Sequence, residues 1–332
     1  MWRPKEIIKS YLANLEFVPM KPQLIAKIMN NYYKLIVLQK PCLRVVTLAI
    51  NYACQLSCIY CSARTLKQKE DFAERLSLSQ IERVLYEAEE CGAINIHFSG
   101  GEPLLDKDFY KIVSLVNKNR NILSLVTNGF LLGQESKNLK NARFDLVIVS
   151  IDSPNPEIHD KIRGYVGSYR KAWEGIEAAH KVGLKVMIAM VVTPDNLSNG
   201  GVDKFITLCR QKKIILQILP IRSINGARKS KKMLLDPKDQ ARFYEYVSYF
   251  NVRWDGQSSY FPSQCLAARE RLYINPCGDV FPCDFIQRSY GNVKNESLVN
   301  IWYRMLNTYP FNQKNFACLS AFDKEFINNF YV

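Results

Sequence analysis

Three cysteines stand in one short run, Cys54-Gln-Leu-Ser-Cys58-Ile-Tyr60-Cys61. Spacings of four and three let three thiolates converge on one small object while its fourth corner stays free, the arrangement of an iron–sulfur cubane whose open iron must bind something else. Structural zinc prefers a Cys-x2-Cys pair joined to a second pair, and no such pair lies nearby. Downstream stands Gly100-Gly101-Glu102-Pro103, where two glycines let the backbone approach a ligand closely and a carboxylate is available to a cation. By itself that tetrapeptide is an ordinary strand-to-helix turn; beside the cysteine run it reads as part of a site.

A second cysteine set begins at Cys265. The segment Cys265 to Cys283 reads as a β-hairpin turned at Pro276-Cys277-Gly278-Asp279, which brings its end cysteines together; a connector through Tyr290 and Gly291 and a helix from Ser297 follow, after which Cys318 returns. A zinc site or unpaired core thiols is the plainer alternative for this set. Ten cysteines would suggest disulfides in a secreted chain, but six in cluster-like positions suit a reducing interior, with Cys42, Cys91 and Cys209 as plain buried thiols.

The elements that must position these residues follow from periodicity. From residue 45 short β-branched runs alternate with amphipathic stretches, the pattern of repeated β-α units on a parallel sheet. Six strands are predicted at Val45–Ile50, Ile94–Ser99, Ile122–Thr127, Leu146–Asp152, Lys185–Thr193 and Ile214–Pro220. Helices are expected near Ser79–Cys91, Lys107–Asn119, Gly133–Lys140, Ser168–Val182 and Asp203–Lys212, with Ser77 or Ser79 as the first cap and Gly92 and Gly183 as stops. Alternation in the second strand puts Ile94, Ile96 and Phe98 under the helices and Asn95, His97 and Ser99 inward; Ser150, Asp152 and Gln217 face the same lumen.

The chain has 332 residues, 48% of them apolar, enough for one barrel-sized unit and an appendage. The longest apolar run, Val182 to Val192, is broken by Lys185 and too short to cross a bilayer, and residues 1–20 lack a signal-peptide stretch, so the cytoplasm is the expected compartment. The net charge of +14 is uneven: residues 1–40 hold seven basic and two acidic side chains, and Ile221 to Lys232 holds five basic and no acidic ones. Such patches attract nucleic acid, phosphorylated metabolites or anionic lipid alike. A non-catalytic iron–sulfur or zinc protein that binds nucleic acid is not favoured, because it has no use for Gly100–Pro103 and the run 222–232 lacks aromatics for base stacking.

From about residue 43 to about residue 320 the chain resembles the radical S-adenosylmethionine (SAM) superfamily. The resemblance implies a partial (β/α)6 TIM-like barrel over 43–235, preceded by a basic helical segment at 1–42 and followed at 236–332 by a small β-hairpin and helix extension. It implies a [4Fe-4S] cluster on Cys54, Cys58 and Cys61, with the amino and carboxylate groups of SAM on the unique iron. Tyr60 matches the aromatic position beside the SAM adenine, and Gly100, Gly101, Glu102 and Pro103 match the segment that holds the methionine ammonium. Asn128 matches the turn after the third strand, and Ser150 to Gly164 resembles the region after the fourth; Asn128, Ser150, Asp152 and Arg163 are thereby expected as SAM-side or strand-tip contacts, with His159 shaping the loop.

The C-terminal segment resembles the SPASM/twitch extension, which carries an auxiliary [4Fe-4S] cluster: Cys265, Gly278 and Cys283 meet its Cys-x(9–15)-Gly-x4-Cys signature. Where that extension commonly ends in Cys-x2-Cys, this chain has Cys318-Leu-Ser-Ala321. Either Cys277 supplies the missing bond or the cluster keeps three protein ligands and an open iron, and three ligands are expected. A second auxiliary cluster is not expected, which places the extension nearer the one-cluster twitch form.

The family chemistry implied is reductive cleavage of SAM, fed by a flavodoxin- or ferredoxin-type donor, to a 5′-deoxyadenosyl radical that abstracts hydrogen from a C–H bond. The auxiliary cluster takes an electron or orients substrate. The residues ahead of the first strand are too few for the leader-peptide-binding domain of many peptide-modifying relatives. They hold instead an amphipathic stretch, Gln23 to Leu38, with Leu24, Ile25, Ile28, Met29, Tyr32, Tyr33 and Ile36 on one face and Lys27, Asn30, Asn31 and Lys34 opposite. It is expected to pack on the barrel, with contact to an anionic membrane surface as the alternative. A small anionic metabolite or sugar is therefore ranked first as substrate, a lipid-linked molecule second and a peptide third.

Overall fold

The computed structural model describes residues 20–64, 66, 74–222, 234–257, 259–260, 265–313 and 317–331. The basic run at 223–232 and residues 1–19 lie outside them. The β-branched runs form β1 (Val45–Ala49), β2 (Asn95–Ser99), β3 (Ile122–Thr127), β4 (Leu146–Ser150), β5 (Val186–Val192) and β6 (Ile215–Pro220), each parallel to the next. Helix α1 (Pro22–Ile36) precedes them. Between and after the strands run α2 (Leu78–Glu90), α3 (Phe109–Ser114), α4 (Leu132–Asn141), α5 (Pro156–Arg163), α6 (Ser168–Lys181), α7 (Pro194–Ser198) and α8 (Gly201–Gln211).

Sequence and structure part at α3, which ends five residues before the expected limit. Asn117 accepts from the Asn119 amide at 3.2 Å, and such local side-chain bonds compete with the helical ladder. Between β1 and β6 two helices went unread, α5 and α7; each has proline in its first turn and a side-chain cap, Asn155 in one and Thr193 in the other.

The sheet does not stop at six strands. Strand β7 (Val252–Trp254) pairs parallel with β6, and β8 (Arg271–Ile274) pairs parallel with β1 before turning back into β9 (Val280–Phe281), giving the order β7-β6-β5-β4-β3-β2-β1-β8-β9. Both edges of the barrel sheet are thus extended by the C-terminal segment, which satisfies backbone groups an open edge would leave unpaired. The sheet stays open, and its two ends face each other across a seam. Helix α9 (Pro237–Val247) leads into β7, and α10 (Leu298–Leu306), α11 (Leu319–Phe322) and α12 (Lys324–Tyr331) follow β9. Trp302 of α10 is buried and donates from Nε1 to Ala268 O at 2.7 Å, tying this helix to the hairpin.

The core lies between sheet and helices. In β2, Ile96 and Phe98 are buried under the helices while Asn95, His97 and Ser99 turn to the lumen, as alternation requires. Ile94 is a correction: it precedes the strand, so it escapes the alternation and packs with Leu24 and Ile122 at the lower rim.

That rim is covered by α1. Lys21 pairs with Asp145 at 2.6 Å and donates to Asn121 O; Lys27 donates to Asn121 Oδ1 at 3.2 Å; Asn31 donates to Gly92 O and to Tyr260 Oη. The helix does pack on the barrel, but through the face on which Lys27 and Asn31 lie, while Met29, Tyr33 and Ile36 are exposed. The cause is what the rim offers: strand-leading loops carrying carbonyls and Asp145, and Glu89 at the end of α2, which need cationic and amide partners. Burial lowers the Lys27 pKa to about 8, with Glu89 opposing the shift. Among the described residues no helix is long and apolar enough to cross a membrane.

Candidate active site

Residues 51–53 run on from β1 alongside the strand-to-helix turn after β2. Gly101 donates to Asn51 O and Glu102 to Ala53 O, each at 2.8 Å. This approach is open only to glycine: a Cβ on Gly100, whose φ is +137°, would lie 2.3 Å from Asn51 O, and one on Gly101 would lie 2.3 Å from Ala53 O. The glycine pair therefore fixes where the chain enters the cysteine loop.

The other side of that loop is held by α5. Ser57 N donates to Arg163 O and Ile59 N to Ile162 O, each at 3.0 Å. The helix stops there because Gly164 takes the left-handed conformation, and a Cβ at that point would meet Ser57 Oγ at 2.2 Å. Held from both sides, Cys54, Cys58 and Cys61 line one cavity of about 330 Å³ that runs down the barrel lumen.

Two side-chain N–H donors reach the thiols: Asn128 Nδ2 lies 3.6 Å from Cys54 Sγ, and Arg163 Nη1 lies 3.7 Å from Cys58 Sγ. Burial pushes the Cys54 and Cys61 thiols up, and backbone N–H groups, Leu56 for Cys54 and Arg64 for Cys61, act in the opposite direction. Arg163 also pairs with Asp152 at 2.8 Å; burial works against its charge, but Asp152 and Cys58 together hold its pKa above the ordinary value. Asp152 is fixed in turn by the Val191 amide at 3.1 Å, and its own amide donates to His159 Nδ1 at 3.2 Å. Burial lowers the His159 pKa to about 4, so this ring is a neutral acceptor that shapes the loop.

Tyr60, Gly100, Gly101, Asn128, Ser150, Asp152 and Arg163 all border the cavity. Burial first, then the charge of Asp152, pushes the Tyr60 hydroxyl up to about 12. Glu102 is placed differently. It is completely buried, and its carboxylate accepts from Thr127 Oγ1 at 2.9 Å, from Asn128 N at 2.8 Å and from Leu104 N at 3.2 Å, bracing the ends of β2 and β3 against each other. Burial raises its pKa to about 7 against those donors. Pro103 opens the single helical turn Pro103–Leu105 beside it.

Further down the lumen His97 Nδ1 meets Ser124 Oγ at 2.7 Å, and Ser124 donates to Asn95 Oδ1 at 2.7 Å. Burial lowers the His97 pKa to about 4, leaving the ring neutral. The bottom of the same cavity is bordered by Arg253, Trp254, Asp255, Arg271, Asp284 and Phe285, residues from both sides of the seam.

A second, smaller cavity of about 30 Å³ adjoins it and gathers Cys265, Cys283 and Cys318. The hairpin turn forms as expected, but Cys277 does not border this cavity; its amide donates to Asn275 Oδ1 at 3.1 Å within the turn. Ser320 does border it, with Oγ 3.5 Å from Cys318 Sγ. So does Arg222, which donates to Asp255 at 3.0 and 3.3 Å, stacks 3.6 Å over Phe285 and faces the Cys318 and Cys283 thiols. Burial pushes the Cys265 thiol up to about 12 and raises Cys283 as well. Sequence reading missed Ser320 and Arg222; the only signal was a serine one position from the absent cysteine, and nothing local pointed to Arg222.

The donor sets fit iron–sulfur groups. Each cavity is bordered by three soft thiols with an arginine at their side, the half-buried Arg163 in one and the buried Arg222 in the other. Two family models match the chain, the Radical SAM superfamily over residues 48–199 and the SPASM iron–sulfur cluster-binding domain over residues 265–320. The chain belongs to the radical SAM superfamily. Its cofactors are accordingly a SAM-binding [4Fe-4S] cluster with SAM and an auxiliary iron–sulfur cluster.

Relatives agree. This radical SAM chain is 32% identical over 182 residues to a probable GTP 3′,8-cyclase of Methanocella arvoryzae, covering 55% of this chain and 58% of the cyclase. It is 26% identical over 274 residues to the PqqA peptide cyclase of Rhizobium meliloti, covering 76% and 72% of the two chains. Among solved structures, native anSMEcpe with bound AdoMet superposes with a TM-score of 0.61 at 25% identity over 83% of each chain. The chain thus spans little more than half the length of the cyclase it matches.

Proposed function

We propose that this radical SAM protein is an enzyme that removes hydrogen from a C–H bond of a peptide held in the barrel lumen, with the SPASM site beside the reacting group. When bound, the cluster and SAM supply the hydrogen-abstracting 5′-deoxyadenosyl radical. The chain's own residues do the placing. Gly100 and Gly101 set the cysteine loop against β2, and α5 sets it from the other side. Arg163 and Asn128 put N–H donors on two thiols, which favours their anionic form. The lumen wall of β2 to β5 excludes water and holds the reacting carbon still, which is where orientation lowers the barrier.

The observation that carries the reading is the single cavity on which Cys54, Cys58, Cys61, the glycine pair and Arg163 all open. For the substrate, the small anionic metabolite ranked first on sequence grounds gives way to a peptide. The similarity to the PqqA peptide cyclase runs over 274 residues, whereas that to the GTP cyclase runs over 182. Anaerobically reconstituted, reduced protein is expected to cleave SAM to 5′-deoxyadenosine, and Cys54→Ala, Cys58→Ala and Cys61→Ala to abolish this. With side-chain-deuterated peptides, deuterium is expected in the 5′-deoxyadenosine; transfer only from non-peptide metabolites would refute the peptide assignment.

A further inference from the structure

We propose that a carboxylate of the substrate docks at the seam of the barrel, on the Nε–Nη2 edge of the Arg271 guanidinium. The reading deepens the proposed function by naming a chemical group that the substrate must carry, and its starting point is the way the open sheet is closed.

The two ends of the sheet meet through charges rather than backbone bonds. Asp255 follows β7 at one end, and Arg271 belongs to β8 at the other; Arg271 Nη1 lies 3.4 Å from Asp255 Oδ2 and 3.7 Å from Asp284 Oδ2. Among the described residues every ion pair and hydrogen bond of the Arg271 side chain runs through that one nitrogen. Nε is buried with no partner, in a side chain that borders the lumen. An arginine used only to close the seam would turn its fork towards its aspartates. Here the side-on edge, whose two parallel N–H groups match the two oxygens of a carboxylate, is left for something else.

Charge balance points the same way. Asp255 is already held by Arg222 Nη2 at 3.0 and 3.3 Å, so it is shared between two arginines. His97, which borders the same lumen, is neutral, since burial holds its pKa near 4. Asp255 thus serves two arginines, and Arg271 holds its own aspartates only at 3.4 and 3.7 Å, longer than a good charge-assisted bond. The choice between anions follows from the same residues: Asp255 and Asp284 repel a phosphate dianion, whereas a planar monoanion takes the vacant edge and stays clear of both.

The test is equilibrium dialysis of anaerobically reconstituted, SAM-loaded holoenzyme against N-acetylglutamate N-methylamide, the isosteric N-acetylglutamine N-methylamide, and free glutarate. The glutamyl compound is expected to bind at least tenfold more tightly than its amide. That preference is expected to vanish in Arg271→Met and also in the pair Arg271→Met with Asp284→Asn, which keeps the seam neutral and guards against misfolding; circular dichroism melting confirms that the pair is folded. Equal binding of acid and amide to the unaltered protein, or an acid preference that survives in the folded double variant, would overturn the proposal. A glutamyl amide that outcompetes glutarate places the carboxylate on a peptide, and the reverse places it on a small acid; both keep the site. If the same samples release no 5′-deoxyadenosine, the functional reading fails while the acid preference stands or falls separately.

Discussion

Replacing Gly101 by alanine isolates the contact that sets the cysteine loop. The added Cβ would stand 2.3 Å from Ala53 O and 2.8 Å from Ala53 C and Tyr52 C, all backbone atoms that no rotamer change can clear. Ordinary contact begins near 3.4 Å, so the two segments must separate by about 1 Å. Gly101 has no left-handed φ, so alanine meets no backbone strain and the whole effect is steric. Overpacking of this kind costs on the order of 1–3 kcal/mol. A displacement of about 1 Å at a site that works by orientation lowers the rate on the order of a hundredfold. Gly133→Ala in α4 is the control, because its Cβ meets nothing closer than 3.9 Å and helix propensity favours the change. The assay pairs thermal melting with 5′-deoxyadenosine release under reducing, oxygen-free conditions. A Gly101→Ala protein that melts with the parent and cleaves SAM at the parental rate would show that the close approach of the two backbones does not position the loop.

Removing Arg163 as Arg163→Met leaves Asp152 buried without its partner, for an expected loss of about 3–5 kcal/mol in thermal or denaturant unfolding, of which Asp152→Asn in the same chain should recover a large part. Glu270 is buried, accepts from Tyr260 N at 2.7 Å, and has its pKa raised by burial to about 7. Its folded value exceeds its unfolded one, so the neutral acid favours the fold. Stability is then full below about 4.5 and falls as pH rises to about 7, by on the order of 3 kcal/mol, and Glu270→Gln should flatten that slope in pH-dependent melting. Arg222→Gln removes a buried cation facing Cys318 and Cys283 and should lower the auxiliary cluster's reduction potential in an EPR-monitored titration, by about 60 mV for each 1.4 kcal/mol of lost interaction. An unchanged potential would mean that Asp255 already cancels that charge.

The chemistry was legible in the sequence because it is written locally. Cys54, Cys58 and Cys61 sit within one loop, and the spacing of three thiols around a cubane is a short-range property that no distant residue can alter. The six core strands were legible for the same reason: β-branched periodicity of two is visible within each run, and it correctly turned Asn95, His97 and Ser99 into the lumen. The Asn155 cap and Gly164 stop of α5 were equally local but lay within a stretch read as a loop.

What only the tertiary structure decided are relations between residues far apart in the chain. Periodicity gave α1 an apolar face but not which face meets the rim, because that depends on Asp145 and Glu89 arriving from a loop and a helix far away in the chain. The hairpin was foreseen, yet its parallel pairing with β1 was not, since edge pairing depends on which edge is left open when the sheet has formed. Arg222, Asp255, Arg271 and Asp284 carry no mutual spacing signal; they become one charged seam only when the two ends of the sheet are brought face to face. Local chemistry is encoded in neighbouring residues, whereas the pairing of buried charges is settled by closure of the fold, where each must find a partner across space or remain unsatisfied.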